Sequence, residues 1–201
     1  MQSTAALSQL NVVIVEDDPN TRLFLKESLE NDCGHHVVGE AANGTEMVQT
    51  VLDKEPDVVV FDIHLPHMDG LEALKQIFQK RQVAAVAITA DRDQALVGRA
   101  MGQHVQAFLF KPIEPHQMGP AIQMAWARFG EMNSLSAENE TLRQTLQSRK
   151  LIERAKGVLM KRFRWSEADA FRRLQRGAMN RRVRMVDLAQ SVLNGDEVDL
   201  G

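Results

Sequence analysis

The stretch VVVFDIHLPHMDG, residues 58–70, decides the fold. Its first four residues are apolar without alternation, the pattern of a strand covered on both faces, as in a parallel sheet. The run ends in Asp62 and a Leu-Pro-x-Met-Asp loop, and Gly70 opens a helical pattern, Leu71–Phe78. Similar runs lie at Val12–Val15, Val37–Gly39, Ala84–Thr89 and Val105–Phe110, with amphipathic stretches such as Leu23–Leu29 and Glu46–Leu52 between them. Strand–helix alternation over the first ~115 residues predicts an α/β domain with a five-stranded doubly wound parallel sheet, including a helix between the last two strands. Asp18-Pro19 supplies an N-cap side chain and a proline at the first helical position.

Beyond this domain the pattern is helical. Ile122, Ala125, Phe129 and Met132 step by three or four, and Leu135, Asn139, Leu142 and Leu146 resume the step. This is coiled-coil spacing, with Asn139 a register-setting polar position, and it predicts a homodimer seam. A single helix packed on its own domain satisfies the same spacing. Pro120 predicts either a late helix start or a kink in a helix begun at Pro115. After Lys150 three helices are expected. The first is Leu151–Arg162; the second starts at Ser166 and directs Ala170, Phe171, Leu174 and Ala178 inward and Arg172, Arg173 and Arg176 outward; the last is short and carries Met185, Leu188, Ala189, Val192 and Leu193. Trp165, beside the turn, is expected in the core. The domains are thus 1–117, a helical linker 118–148, and 149–201.

Of the 201 residues, 44% are apolar and 25% charged, an ordinary globular composition. No apolar run approaches the ~20 residues of a membrane span; the longest, Val83–Ile88, has six. The N-terminal stretch lacks the basic flank of a signal peptide, and Cys33 is the single cysteine, so a cytoplasmic protein is expected. Charge is divided unevenly. Residues 1–148 carry 11 Lys/Arg against 20 Asp/Glu, and residues 149–201 carry 13 against 7. All 13 lie between Arg149 and Arg184, opposed there only by Glu153, Glu167 and Asp169. A basic module of this kind suits a polyanionic partner.

Ligands of open α/β sheets bind at the carboxyl ends of the strands. Those ends carry Glu16-Asp17, Asp62, Thr89-Ala90 and Lys111-Pro112. Clustered carboxylates repel unless a cation joins them, and a hard oxygen donor set of this kind suits Mg²⁺. Lys111 and the Thr89 hydroxyl would then meet phosphoryl oxygens. His64 and His67 have no spaced partner for a metal site of their own.

The strand-terminal VVIVEDD, VVVFDIHLPHMDG, AITA and FLFKP resemble the receiver domain of two-component response regulators, a flavodoxin-like fold. The resemblance implies that Asp62 accepts a phosphoryl group from a sensor histidine kinase. It further implies that Asp17 binds Mg²⁺ directly, that Glu16 acts through water, and that Asp62 and the His64 carbonyl complete the ligands. Thr89 and Lys111 would contact the phosphoryl group, Phe108 would be the aromatic switch, and the Lys111–Pro112 peptide would be cis. Asp18 is assigned to the helix cap. His104 departs from the small residue usual before the last strand.

The stretch LIERAKGVLMKRFRWSEADAFRRLQRGAMNRRVRMVDLAQSVL, over residues ~148–194, resembles the ANTAR domain. That resemblance implies binding to RNA hairpins in leader transcripts and transcription antitermination. Arg154, Ala155, Lys156, Lys161, Arg173, Arg176, Arg181 and Arg182 are the candidate RNA contacts. Two other outputs compete: a DNA-binding head and a protein-interaction adaptor. The final helical stretch Val186–Leu193 contains no Arg or Lys to read base edges, and the basic excess disfavours an adaptor. No nucleotide-binding loop or catalytic dyad follows residue 130, so the chain is not expected to be an enzyme.

Overall fold

A computed structural model describes residues 9–92, 97–98, 102 and 104–196. The chain divides into two compact units, one up to Asn133 and one from Ser134. The first is built on five parallel strands: β1 (Asn11–Val15), β2 (His36–Ala41), β3 (Val58–Asp62), β4 (Ala84–Thr89) and β5 (Ala107–Phe110), in the order β2-β1-β3-β4-β5. This is the expected doubly wound sheet. Helices α1 (Pro19–Glu27), α2 (Gly44–Lys54) and α3 (Gly70–Phe78) follow the first three strands. Of the helix expected between β4 and β5 only residues 97–98, which are helical, are among the described residues.

Alternate residues of one strand enter opposite cores, which is why the runs do not alternate in polarity. Val13, Val15, Val59 and Phe61 meet Met47 and Val51 of α2 and Leu74 and Ile77 of α3. Val12, Ile14, Val58 and Val60 meet Leu25 of α1 on the other face, together with Met118, Ile122 and Ala125 of a fourth helix, α4 (Pro115–Phe163). That helix starts at Pro115 and passes through Pro120, so the late start is not observed. Proline costs one backbone donor there and only in the second turn.

Two local features reflect specific residues. The chain leaves α1 through a π-helical turn, Ser28–Asp32, that ends on half-buried Cys33. A Cβ placed on Gly119 of α4 would lie 3.6 Å from the Cys33 sulfur. His104 takes left-handed backbone, φ 68°, and its ring stacks on Phe78 at 4.6 Å and 9°. Left-handed backbone costs about 1–2 kcal/mol, and an aromatic pair returns about 0.5–1.5 kcal/mol. The histidine is accommodated where a residue without a ring would gain nothing.

In the second unit the expected helix Leu151–Arg162 is not separate; it is the end of α4. Helices α5 (Glu167–Arg181) and α6 (Met185–Asn194) follow. Ser166 caps α5 by accepting from the Asp169 amide at 3.2 Å. Ala155, Leu159, Ala170, Leu174, Ala178, Leu188, Ala189 and Val192 form this unit's core. Phe171, expected inward, is 37% exposed. Ile122 and Ala125 are buried under the sheet, whereas Met132, Leu135, Leu142 and Leu146 are exposed. The first half of the apolar spacing therefore serves the core beneath the sheet.

Candidate functional site

The turn after β1, the end of β3 and the residue that follows β5 bring together the charged residues expected there. Glu16 and Asp62 are buried while Asp17 is exposed, and one carboxylate oxygen from each lies within 4.8 Å of the others. The Lys111 ammonium sits between two of them, 2.9 Å from Glu16 Oε1 and 2.5 Å from Asp62 Oδ2. The His64 amide donates to Asp62 Oδ1 at 2.9 Å. Asp62 thus has one oxygen fixed by backbone and one by a cation, which defines its rotamer.

Neighbouring elements hold this arrangement. Thr89 is fully buried; its hydroxyl accepts from the Asp91 amide at 3.0 Å, and its carbonyl accepts from the Lys111 amide at 2.9 Å. The Lys111–Pro112 peptide is cis, as expected. Asp18 caps α1 by accepting from the Thr21 amide at 2.7 Å. Phe108 is half-buried, with its ring centroid 6.5 Å from that of Phe110. His67 lies in the loop before α3 with φ 65°, outside the carboxylate cluster. Arg22, which the sequence motifs do not single out, donates from Nη1 to the Glu16 carbonyl at 2.5 Å and so ties α1 to the acidic turn.

Burial pushes the Glu16 carboxyl above its usual range, against the opposing hydrogen bond and charge of Lys111. Burial alone would push Lys111 down. Its hydrogen bonds and charge contacts with Asp62 and Glu16 outweigh that and hold it above its ordinary value. Glu16 Oε2 is buried and has no hydrogen bond, although Nζ lies 2.9 Å away. A crowded oxygen set with one unsatisfied buried atom fits a hard divalent cation such as Mg²⁺.

The second unit sorts its basic residues differently from expectation. Arg154, Lys161, Arg176, Arg181 and Arg182 are exposed. Ala155 is fully buried in the core, so its side chain offers nothing to a surface ligand. Lys156 is 6% exposed and donates to Glu153 Oε1 and Glu167 Oε1, both at 2.8 Å, so it joins α4 to the start of α5. Arg173, expected outward, is half-buried with its guanidinium carbon 4.6 Å from the Trp165 ring centroid. Trp165 itself is half-buried against the core.

This sheet order, with three carboxylates and a lysine at its strand ends, defines a class. The chain belongs to the response regulators: the response regulator receiver domain matches residues 12–123, and an ANTAR domain matches residues 140–193. It is similar in particular to the transcriptional regulatory protein PdtaR of Mycobacterium tuberculosis, 40% identical over 182 residues that span 90% of this chain and 88% of that one. Over the receiver it is similar to chemotaxis protein CheY of Thermotoga maritima, 34% identical over 55% of this chain and 92% of the relative. A solved two-component response regulator of the LuxR family from Aurantimonas sp. SI85-9A1 superposes with a TM-score of 0.56 at 27% identity, covering 60% of this chain and 86% of that one. Among the described residues, no helix is long and apolar enough to cross a membrane.

Proposed function

We propose that the chain is a cytoplasmic, phosphorylation-regulated RNA-binding protein that acts in transcription antitermination by holding RNA hairpins of leader transcripts. The observation that carries this reading is the Glu16–Asp17–Asp62–Lys111 cluster in a chain that also contains an ANTAR domain. Asp62 is the phosphoacceptor: a carboxylate oxygen attacks the phosphorus of a phosphohistidine on a sensor kinase, the P–N bond breaks, and the imidazole leaves. Glu16, Asp17, Asp62 and the His64 carbonyl would hold Mg²⁺, which supplies charge neutralisation for the transferring group. Lys111 exchanges part of its contact with Asp62 for phosphoryl oxygens. Thr89 gives up the Asp91 amide to donate to the same group, and Phe108 turns into the space behind it. The protein is a regulated substrate of phosphoryl transfer rather than an enzyme.

Output lies in the basic unit. Helix α6 contains no Lys or Arg, which removes the base-reading helix of a DNA-binding head. Arg154, Lys161, Arg176, Arg181 and Arg182 offer charge to phosphates, and Arg173 supports them through Trp165. The exposed Met132, Leu135, Leu142 and Leu146 form the seam of a homodimer that presents two heads. Joining two weak sites raises the effective concentration of the second contact.

The test compares the native protein with Asp62→Asn, with and without beryllofluoride and Mg²⁺, by sedimentation and by titration with a two-hairpin RNA and its duplex-DNA counterpart at equal salt. The expected result is a larger mass and tighter RNA binding for the native protein with beryllofluoride only. Unchanged mass and RNA affinity would remove phosphorylation as the switch; tighter binding to the DNA would remove the RNA reading.

A further inference from the structure

Where α4 gives way to α5, four side chains form one stack. Arg164 adopts left-handed backbone, φ 56°, and the turn sets Phe163 and Trp165 face to face at 4.5 Å and 16°. The Arg162 guanidinium carbon lies 5.4 Å from the Phe163 ring centroid, and that of Arg173 lies 4.6 Å from the Trp165 centroid. The two ends differ. Trp165 packs against the core of the unit, whereas Phe163 is 44% exposed and belongs neither to that core nor to its partly buried neighbours. Left-handed backbone is uncommon for a residue other than glycine, and here it holds a partly exposed phenyl ring between an indole and a guanidinium.

The surrounding charge selects the occupant. Lys161, Arg162 and Arg164 are exposed and make no ion pair among the described residues. The acids of the same segment are already engaged, Glu153 and Glu167 with Lys156 and Asp169 with Arg172. An apolar protein surface laid on Phe163 would have to cover cations that have no acidic partner among the described residues. A nucleotide supplies both a π face for the ring and a phosphate for the cations. The geometry points to Phe163 as the stacking platform for one unpaired base of an RNA loop, the base taking the place of the Arg162 guanidinium over the ring opposite Trp165, with Lys161, Arg164 and the displaced Arg162 receiving the adjacent phosphates. This rests on the RNA-binding function proposed above and adds the residue that meets a base.

The test uses the full-length protein with beryllofluoride and Mg²⁺ present throughout, and stem-loop RNAs isolated from a pool with a randomised loop by binding to it. Each loop base is replaced in turn by 2-aminopurine. One loop position is expected to lose fluorescence on binding. Phe163→Leu, which keeps apolar bulk, abolishes that quenching and weakens binding about 10- to 100-fold, while Phe163→Trp retains both. An abasic nucleotide at the quenched position repeats the loss without altering the protein. Equal affinity of the abasic and intact RNAs, or unaltered quenching with Phe163→Leu, overturns the platform and leaves RNA binding standing. Recovery of no RNA by the native protein overturns the RNA-binding function, and the platform with it.

Discussion

Gly70 and Asp62 are matched by close approach: a Cβ at position 70 would overlap the Asp62 carbonyl and come 2.7 Å from Cδ2 of Phe61. The first residue of α3 is thereby pressed onto the end of β3, and the Gly70 amide donates to the Ile63 carbonyl at 2.8 Å. The loop carrying His64 is closed at its base by this contact.

Gly70→Ala therefore forces apart a backbone-to-backbone contact. The overlap outweighs the helix preference of alanine, which is worth about 1 kcal/mol, and a net loss of about 1–3 kcal/mol is expected. Urea unfolding of the receiver checks this. An unchanged midpoint at unchanged slope would show that the end of β3 yields freely.

Asp17→Ala should abolish Mg²⁺-dependent phosphorylation of Asp62 by a small phosphodonor such as acetyl phosphate, while Glu16→Gln should weaken it less. The exposed Asp17 is open to a cation, whereas Glu16 already leans on Lys111. Intact-mass measurement over a Mg²⁺ series decides, and full phosphorylation of Asp17→Ala at low Mg²⁺ would refute the assignment.

His35 predicts a pH dependence of stability. Its side chain is buried, its Nδ1 accepts from the Leu10 amide at 3.4 Å, and burial holds the imidazole below its usual value. As pH falls, the unfolded chain takes up this proton first, near the ordinary value of about 6.5. The stabilising contribution of neutral His35 is complete above that value and is lost as pH falls through the lower folded value. Melting of the receiver should drop between about pH 7 and pH 5, and His35→Gln should flatten that part of the curve. Parallel curves for the two proteins would show that other groups carry the dependence.

Arg182 and Lys156 should separate electrostatic contact from architecture. Arg182 is exposed, so Arg182→Ala should lower the slope of log affinity against log salt for hairpin RNA by about 0.7–0.9. The Lys156 ammonium is held above its ordinary value by Glu153 and Glu167 and is already neutralised by them. Lys156→Ala should lower the melting temperature of the basic unit and leave the salt slope unchanged. A reduced slope for Lys156→Ala would place its charge against phosphate.

The sheet and the acidic cluster were legible in the sequence because strands buried on both faces admit little but Val, Ile, Ala and Phe, and because strand ends in such sheets converge. Glu16, Asp62 and Lys111 needed no knowledge of side-chain packing to be brought together. Lys156 was not legible in this way. Its neutralisation depends on Glu167, eleven residues away on another helix, and a basic residue in a basic run gives no sign of it. The spacing through Ile122, Ala125 and Phe129 was ambiguous for another reason, since a step of three or four serves equally to cover a sheet or to face a second helix. The Phe163–Trp165 stack rests on left-handed backbone at Arg164, a conformation that arginine does not advertise.

The half-buried thiol of Cys33, lodged between the turn after α1 and the start of α4, has a practical consequence. Burial and the neighbouring Asp32 raise its pKa, against the influence of the nearby Gly119 backbone, and only the thiolate reacts with an alkylating probe. As the single cysteine of the chain, it makes the molecule its own stopwatch. The rate at which iodoacetamide marks the protein reads the accessibility of that thiol, and the same clock run with and without beryllofluoride times any loosening there without an introduced label.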